Sequence, residues 1–358
     1  MLDLDDLPAL RKLGLNNSLL ARLIDMPETT GTWPARITEV QRERCTLLDG
    51  QGSRSGRVLP ELQRELFARG ESLAVGDWVL AAEDGWILQR VPPLNVLSRR
   101  SPEGHWQPLV ANVDTALLVM GLDHDFKLAR LDRYLLLTRA AGVAAVVALT
   151  KADLHADSSA QRLAELRQHL AHSAALEVLA VDATQAATRE RLAPWLAEGQ
   201  TLVLLGSSGA GKSTLTNTLC GSALQATGAV REDDSRGRHT TTVRTLYRTP
   251  EGACIIDTPG LRGLQLDADE AALAAGFDDV ARLAAQCRFR NCTHGDEPGC
   301  AVREHLSPQR LQSYHKLQRE ARHAQQDPRL RQQLLAEWKR RSRAARERIA
   351  SKQGRERA

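Results

Sequence analysis

The first chemical statement in this sequence is made by Gly206, Ser207, Ser208, Gly209, Ala210, Gly211, Lys212 and Ser213, which fit G-x-x-x-x-G-K-[ST]. They stand directly after the apolar run TLVLLG and before STLTNTLC, a helix-forming stretch opened by Ser213 and Thr214. Glycines at this spacing let consecutive backbone N–H groups converge on phosphate oxygens at a helix N-terminus. Lys212 adds a charge at the β and γ phosphates, and the Ser213 hydroxyl can ligate Mg²⁺. A ligand-free glycine turn is the plain alternative, and the strand-loop-helix context argues against it.

Downstream, CIIDTPG sets Asp257 at the end of an apolar run, followed by Thr258, Pro259 and Gly260. A carboxylate there can hold the Mg²⁺ shell, and the Gly260 N–H can sense a γ-phosphate. Between the two motifs, Gly237, Arg238, His239, Thr240, Thr241 and Thr242 offer hydroxyls able to close over Mg²⁺ and γ-phosphate as an ordering switch. Upstream, VVALT runs into Lys151, Ala152 and Asp153. An ionised carboxylate only accepts, so Asp153 can take the N1–H and N2–H₂ donors of guanine, whereas adenine presents an acceptor at N1. Thr150 to Asp153 resemble the N-K-x-D guanine motif, with Thr150 in the Asn place. In ordinary GTPases this motif follows the phosphate loop; here residues 150–153 precede residues 206–213, so the domain reads as circularly permuted.

After these motifs come Cys287, Cys292, His294 and Cys300. Three thiols and an imidazole this close make a complete tetrahedral Zn²⁺ set, which points to a structural rather than a catalytic metal. Cys45, Cys220 and Cys254 sit in apolar segments as inert core thiols.

The elements that must position these groups follow from periodicity. TALLVMGL, VAAVVALT, LEVLAV and TLVLLG read as buried strands, alternating with the helical LARLDRYLLLTRAAG and SSAQRLAELRQHLAH. That is a doubly wound, mainly parallel α/β sheet whose ligand belongs at the carboxyl edge. Residues 1–32 read as a helical extension and residues 33–98 as a small β-barrel, with Glu83, Asp84 and Gly85 at a hairpin turn. Trp33, Trp78 and Trp86 with Arg36, Arg42, Arg44, Arg54 and Arg57 offer stacking and phosphate contacts, the commoner role of such tryptophans being core packing. The α/β domain is expected over 99–284, and a metal-binding, basic helical region over 285–358, with helices opening at Ser307-Pro308 and Asp327-Pro328.

Composition narrows the partners. The 358 residues hold 42% hydrophobic and 26% charged side chains, ordinary for a folded soluble chain, and no apolar run approaches a membrane span. The acidic start MLDLDD is unlike a signal peptide, so a cytoplasmic, reducing location is expected. From Arg303 onward there are 16 Lys and Arg against 6 Asp and Glu, a net of +10 where the whole chain carries +4. Such a basic tail attracts nucleic acid through counterion release.

A barrel, a permuted nucleotide domain and a Cys₃His element with a helical tail together resemble the bacterial ribosome small subunit-dependent GTPase A family, over roughly residues 33–325. The resemblance implies an oligonucleotide-binding-type (OB-like) barrel, GTP and GDP as ligands with Mg²⁺, one structural Zn²⁺, and GTP hydrolysis stimulated by the small ribosomal subunit late in its maturation. It also implies contacts to 16S rRNA, a monomer, and no membrane. Leu261 follows DTPG where many GTPases carry glutamine, so His239, beside Thr241 and Thr242, is the first candidate to position water, and turnover without a partner is expected to be slow. The alternatives are an RNA-binding assembly factor that uses nucleotide only as a switch, and an ATP-driven P-loop enzyme.

Overall fold

The computed structural model describes residues 6–41, 44–100, 106–170, 176–222, 224, 244–258, 273 and 276–325. His239, Thr241, Thr242, Gly260 and the expected helix at Asp327-Pro328 lie outside these residues.

Two short helices, α1 (Leu7–Lys12) and α2 (Asn17–Ile24), lead into strands β1 (Thr32–Gln41), β2 (Arg44–Leu48) and β3 (Ser53–Val58), helix α3 (Pro60–Ala68), and strands β4 (Trp78–Ala82) and β5 (Trp86–Arg90). The order β1-β2-β3-β5-β4, closed by pairing of β1 with β4, is a complete five-stranded barrel. Ala35, Ile37, Leu47, Val79, Ala81 and Ile87 fill it. The hairpin β6 (Val96–Arg100) and β7 (Trp106–Ala111) then forms a separate two-stranded sheet. It runs through the residues where the sequence reading passes from barrel to α/β, and no alternation signalled it.

The second half holds β8 (Thr115–Gly121), α4 (Leu128–Ala140), β9 (Ala144–Thr150), α5 (Ala156–His169), β10 (Glu177–Ala180), α6 (Ala187–Leu192), β11 (Thr201–Leu205), α7 (Lys212–Cys220), β12 (Thr245–Arg248) and β13 (Cys254–Asp257). Their order is β10-β9-β8-β11-β13-β12, parallel except for β12. Successive side chains of a strand face opposite sides, so this sheet feeds two cores. Ala116, Leu118, Val203 and Leu205 pack with α4 and α5, whereas Leu117, Val119, Leu202 and Leu204 pack with α6 and α7. Burial on both faces explains the unbroken apolar runs.

Strand β1 joins the two halves. Glu39 pairs with Thr245 of β12, making one continuous sheet of eleven strands, and an irregularity between Ile37 and Glu39 lets β1 turn from barrel to sheet. Arg36 lies at this junction, 1% exposed, donating to the carbonyls of Leu13, Asn112 (3.0 Å) and Gly76 (3.4 Å). This corrects the expectation that Arg36 contacts phosphate, because a buried guanidinium that donates to three carbonyls cannot reach a polyanion. Trp78 is likewise fully buried, while Arg54 lies 4.7 Å over the Trp33 ring and Arg44 and Arg57 are exposed.

Beyond the sheet, α8 (Asp278–Ala284), α9 (Ala301–His305) and α10 (Pro308–Gln325) complete the described chain. Cys300, Val302, Leu306 and Leu317 share an apolar core with Leu131 and Tyr134 of α4, so the packing is continuous across residue 284.

Candidate nucleotide and metal sites

Strand register brings the chemical motifs to one edge. Gly121 pairs with Thr150, Leu118 with Leu205, and Leu204 with Asp257, so the segments leaving β8, β9, β11 and β13 emerge side by side at the carboxyl end of the sheet. Residues 206–211 turn from β11 into α7. Gly206 is required by close approach, since a Cβ there would lie 2.4 Å from the Val119 carbonyl, and Gly211 holds φ +90° at the helix N-cap.

Lys212 is buried, and its Nζ donates to the carbonyls of Gly206 (3.1 Å) and Ser207 (2.8 Å). Burial lowers its pKa, opposed by the charges of Asp257 and Asp125. Asp257 is 1% exposed, and the neighbouring Thr258 hydroxyl donates to Leu204 O at 2.6 Å, fastening the end of β13 to the strand that carries the phosphate loop. Ser213 and Thr214, in the first turn of α7, are half-buried. A hydroxyl and a carboxylate are the hard donors Mg²⁺ takes, so Ser213 and Asp257 fit that ion in kind.

Thr150 is fully buried, and its hydroxyl donates to Ala210 O at 2.6 Å. The residue in the Asn place of the guanine motif therefore ties that motif to the phosphate loop through one hydrogen bond. Lys151 takes φ +62°, rare for a side chain other than glycine, and its Nζ donates to Asp123 Oδ2 at 2.7 Å. Burial alone would raise the Asp123 pKa, but the hydrogen bond and charge of Lys151 hold it below the ordinary carboxylate value. Ala152 is half-buried and Asp153 exposed, past the strand end. VDAT, residues 181–184, lies beside them: Val181 N donates to Leu149 O, and the Thr218 hydroxyl of α7 donates to Ala183 O.

Sequence reading did not single out Asp123 and Asp125. Their only signal is acidic character just after a wholly buried strand, at the edge where ligands bind.

The four metal-type residues also converge. The ligand atoms of Cys287, Cys292, His294 and Cys300 lie within 4.8 Å of one another. Cys287 Sγ and Cys300 Sγ are 4.0 Å apart, and they lie 3.7 and 3.6 Å from His294 Nδ1. Ligands about 2.3 Å from a tetrahedral zinc stand about 3.8 Å apart, so the cluster has the size of that coordination shell. His294 takes φ +61°, and its carbonyl meets His315 Nε2 of α10 at 3.2 Å, which sets the cluster against the C-terminal helix. The other thiols are buried, and burial pushes Cys45 to about 12 and Cys220 to about 11, as inert core groups require.

The RsgA GTPase family model matches residues 91–267. "Small ribosomal subunit biogenesis GTPase RsgA" of Xanthomonas campestris pv. campestris is 47% identical over 293 residues, 79% of each chain. The protein of the same name in Xylella fastidiosa is 48% identical over 296 residues, 80% of this chain and 85% of its own. Among solved structures, YjeQ from Thermotoga maritima superposes with TM-score 0.58 at 23% identity, covering 81% of this chain and 98% of that one. YloQ, described as a circularly permuted GTPase, gives TM-score 0.55 at 23% identity, covering 84% and 100%. With the guanine-type motif ahead of the phosphate loop at one sheet edge, a barrel in front and a Cys₃His cluster behind, the chain belongs to the RsgA GTPase family and has its circularly permuted fold.

Proposed function

We propose that the protein binds GTP at the carboxyl edge of β8, β9, β11 and β13 and hydrolyses it while bound to the small ribosomal subunit, during maturation of that subunit. The observation that carries this reading is the Thr150 to Ala210 hydrogen bond, which makes the base-reading and phosphate-binding segments one site. The relatives' names supply the partner.

Within this site Asp153 accepts from the guanine edge and the backbone N–H groups of residues 206–211 hold the phosphates. Lys212, now donating to two loop carbonyls, is drawn to the γ-phosphate, and its burial strengthens that attraction. Ser213 and Asp257 would hold Mg²⁺, which supplies positive charge at the β and γ phosphates when bound. His239, Thr241, Thr242 and Gly260 would complete the γ-phosphate end, with water in line. Cys287, Cys292, His294 and Cys300 would hold one structural Zn²⁺. The exposed Arg44, Arg54 and Arg57 and the basic tail serve as contacts to 16S rRNA. No helix among the described residues is long and apolar enough to cross a membrane.

The test is phosphate release from GTP and from ATP, with and without purified small subunits, at fixed salt. Stimulation confined to GTP with small subunits is the expected result. Subunit binding without phosphate release from either nucleotide would make the protein an RNA-binding nucleotide switch.

A further inference from the structure

The connection between β8 and α4 carries two aspartates that the motifs leave without a role. Asp125 is 6% exposed, and its carboxylate bridges the phosphate loop to β8 and α4. Its Oδ1 accepts the hydroxyl of Ser207, the second residue of the phosphate loop, and Arg130 Nη2. Its Oδ2 accepts Gly121 N–H at 3.1 Å. Its own N–H donates to Asp123 Oδ1 at 3.0 Å, and Asp123 Oδ2 accepts Lys151 Nζ of the guanine-type motif at 2.7 Å. An unbroken chain of hydrogen bonds thus runs from Lys151 through Asp123 and Asp125 to Ser207, whose carbonyl accepts Lys212 Nζ. Two of its links join a lysine or hydroxyl to a carboxylate, the stronger class of hydrogen bond.

We infer that Asp123 and Asp125 are positioning residues: they form a strut that sets the distance between the base-reading end and the phosphate-binding end of the nucleotide site. Two segments distant in sequence, residues 150–153 and 206–213, must meet one rigid ligand at both ends. A link that holds both before binding removes ordering cost from the bound state. Arg130 anchors the strut to α4, and the Gly121 N–H anchors it to β8. The inference rests on the proposed binding of guanine nucleotide.

Its test is equilibrium binding and dissociation of fluorescent GDP with full-length protein carrying Asp125→Asn, Asp123→Asn, Ser207→Ala, or Asp123→Asn with Ser207→Ala. Each single substitution is expected to speed GDP dissociation about tenfold, the value of one charge-assisted hydrogen bond. The double variant is expected to be no weaker than the poorer single, because cutting the strut twice removes nothing further. Ser207→Ala removes only a hydroxyl from a half-buried loop, so it serves if the Asp125 variant fails to fold. Dissociation within twofold of wild type in folded Asp125→Asn or Ser207→Ala protein would overturn the strut. So would strictly additive effects in the double variant, since coupling across the site is what a merely stabilising contact lacks. Failure of the wild-type protein to bind GDP at all would overturn the nucleotide reading and the strut with it.

Discussion

At the scale of single residues, the site is built from side chains whose hydrogen-bonding character decides what they can recognise. Asp153 is the plainest case: exposed past the end of β9, it can only accept. Asp153→Asn presents a donor where guanine has donors, so GTP affinity is expected to fall about tenfold or more while xanthine nucleotide, whose C2 carbonyl accepts, gains. Competition of the two triphosphates for one site measures this; unchanged preference would remove Asp153 from base recognition. Thr150 links its segment to the phosphate loop. Its role toward the phosphate loop needs one hydroxyl donor to Ala210 O, and threonine supplies it within a fully buried position.

At the scale of elements, the C-terminal segments are held by a few buried groups. Arg310 of α10 donates to Asp132 of α4, to both carboxylate oxygens of Asp279 in α8 (3.1 and 3.3 Å) and to Gly276 O (3.1 Å), and lies 4.1 Å over the Phe277 ring. His169 of α5 meets the same Asp132 oxygen at 2.9 Å. Four helices, α4, α5, α8 and α10, are therefore joined through Arg310 and Asp132. The Cys₃His cluster spans the turn between α8 and α9, a stretch with few apolar side chains of its own, and a Zn²⁺ held there would fix that turn. Chelation of that Zn²⁺, or Cys300→Ser, is expected to loosen this turn and lower the melting temperature by several degrees. Elemental analysis before and after chelation, with thermal unfolding, checks it; purified folded protein free of zinc would refute the assignment.

At the scale of the whole molecule, charge is unevenly spread. Residues 326–358 hold 11 Lys and Arg against 4 Asp and Glu, a net of +7 where the whole chain carries +4. A chain ending at Gln325 is expected to bind small subunits more weakly and with a shallower salt dependence, by about 0.7–0.9 in log–log slope for each phosphate that the tail would neutralise. Titrations at several salt concentrations measure this, and an unchanged slope would show that the tail takes no part. The barrel and the α/β sheet are joined through β1, which pairs in both, and Arg36 of that strand donates to buried carbonyls at the junction.

Local chemistry determined much of this from the residue order alone. G-x-x-x-x-G-K-S after an apolar run reads as a phosphate loop, three cysteines and a histidine within 14 residues read as a metal-binding set, and unbroken apolar runs require strands buried on both faces. The permutation is legible because it is itself a statement about order. What tertiary structure alone decided are contacts between residues far apart in the chain. Thr150 meets Ala210, Lys151 meets Asp123, Ser207 meets Asp125, and Arg310 meets Asp132. Burial of Arg36 belongs here too, since arginine in a barrel strand reads as a surface cation until its carbonyl partners are known. Residue type sets what a side chain can bond; only strand order and register determine which partner comes within reach.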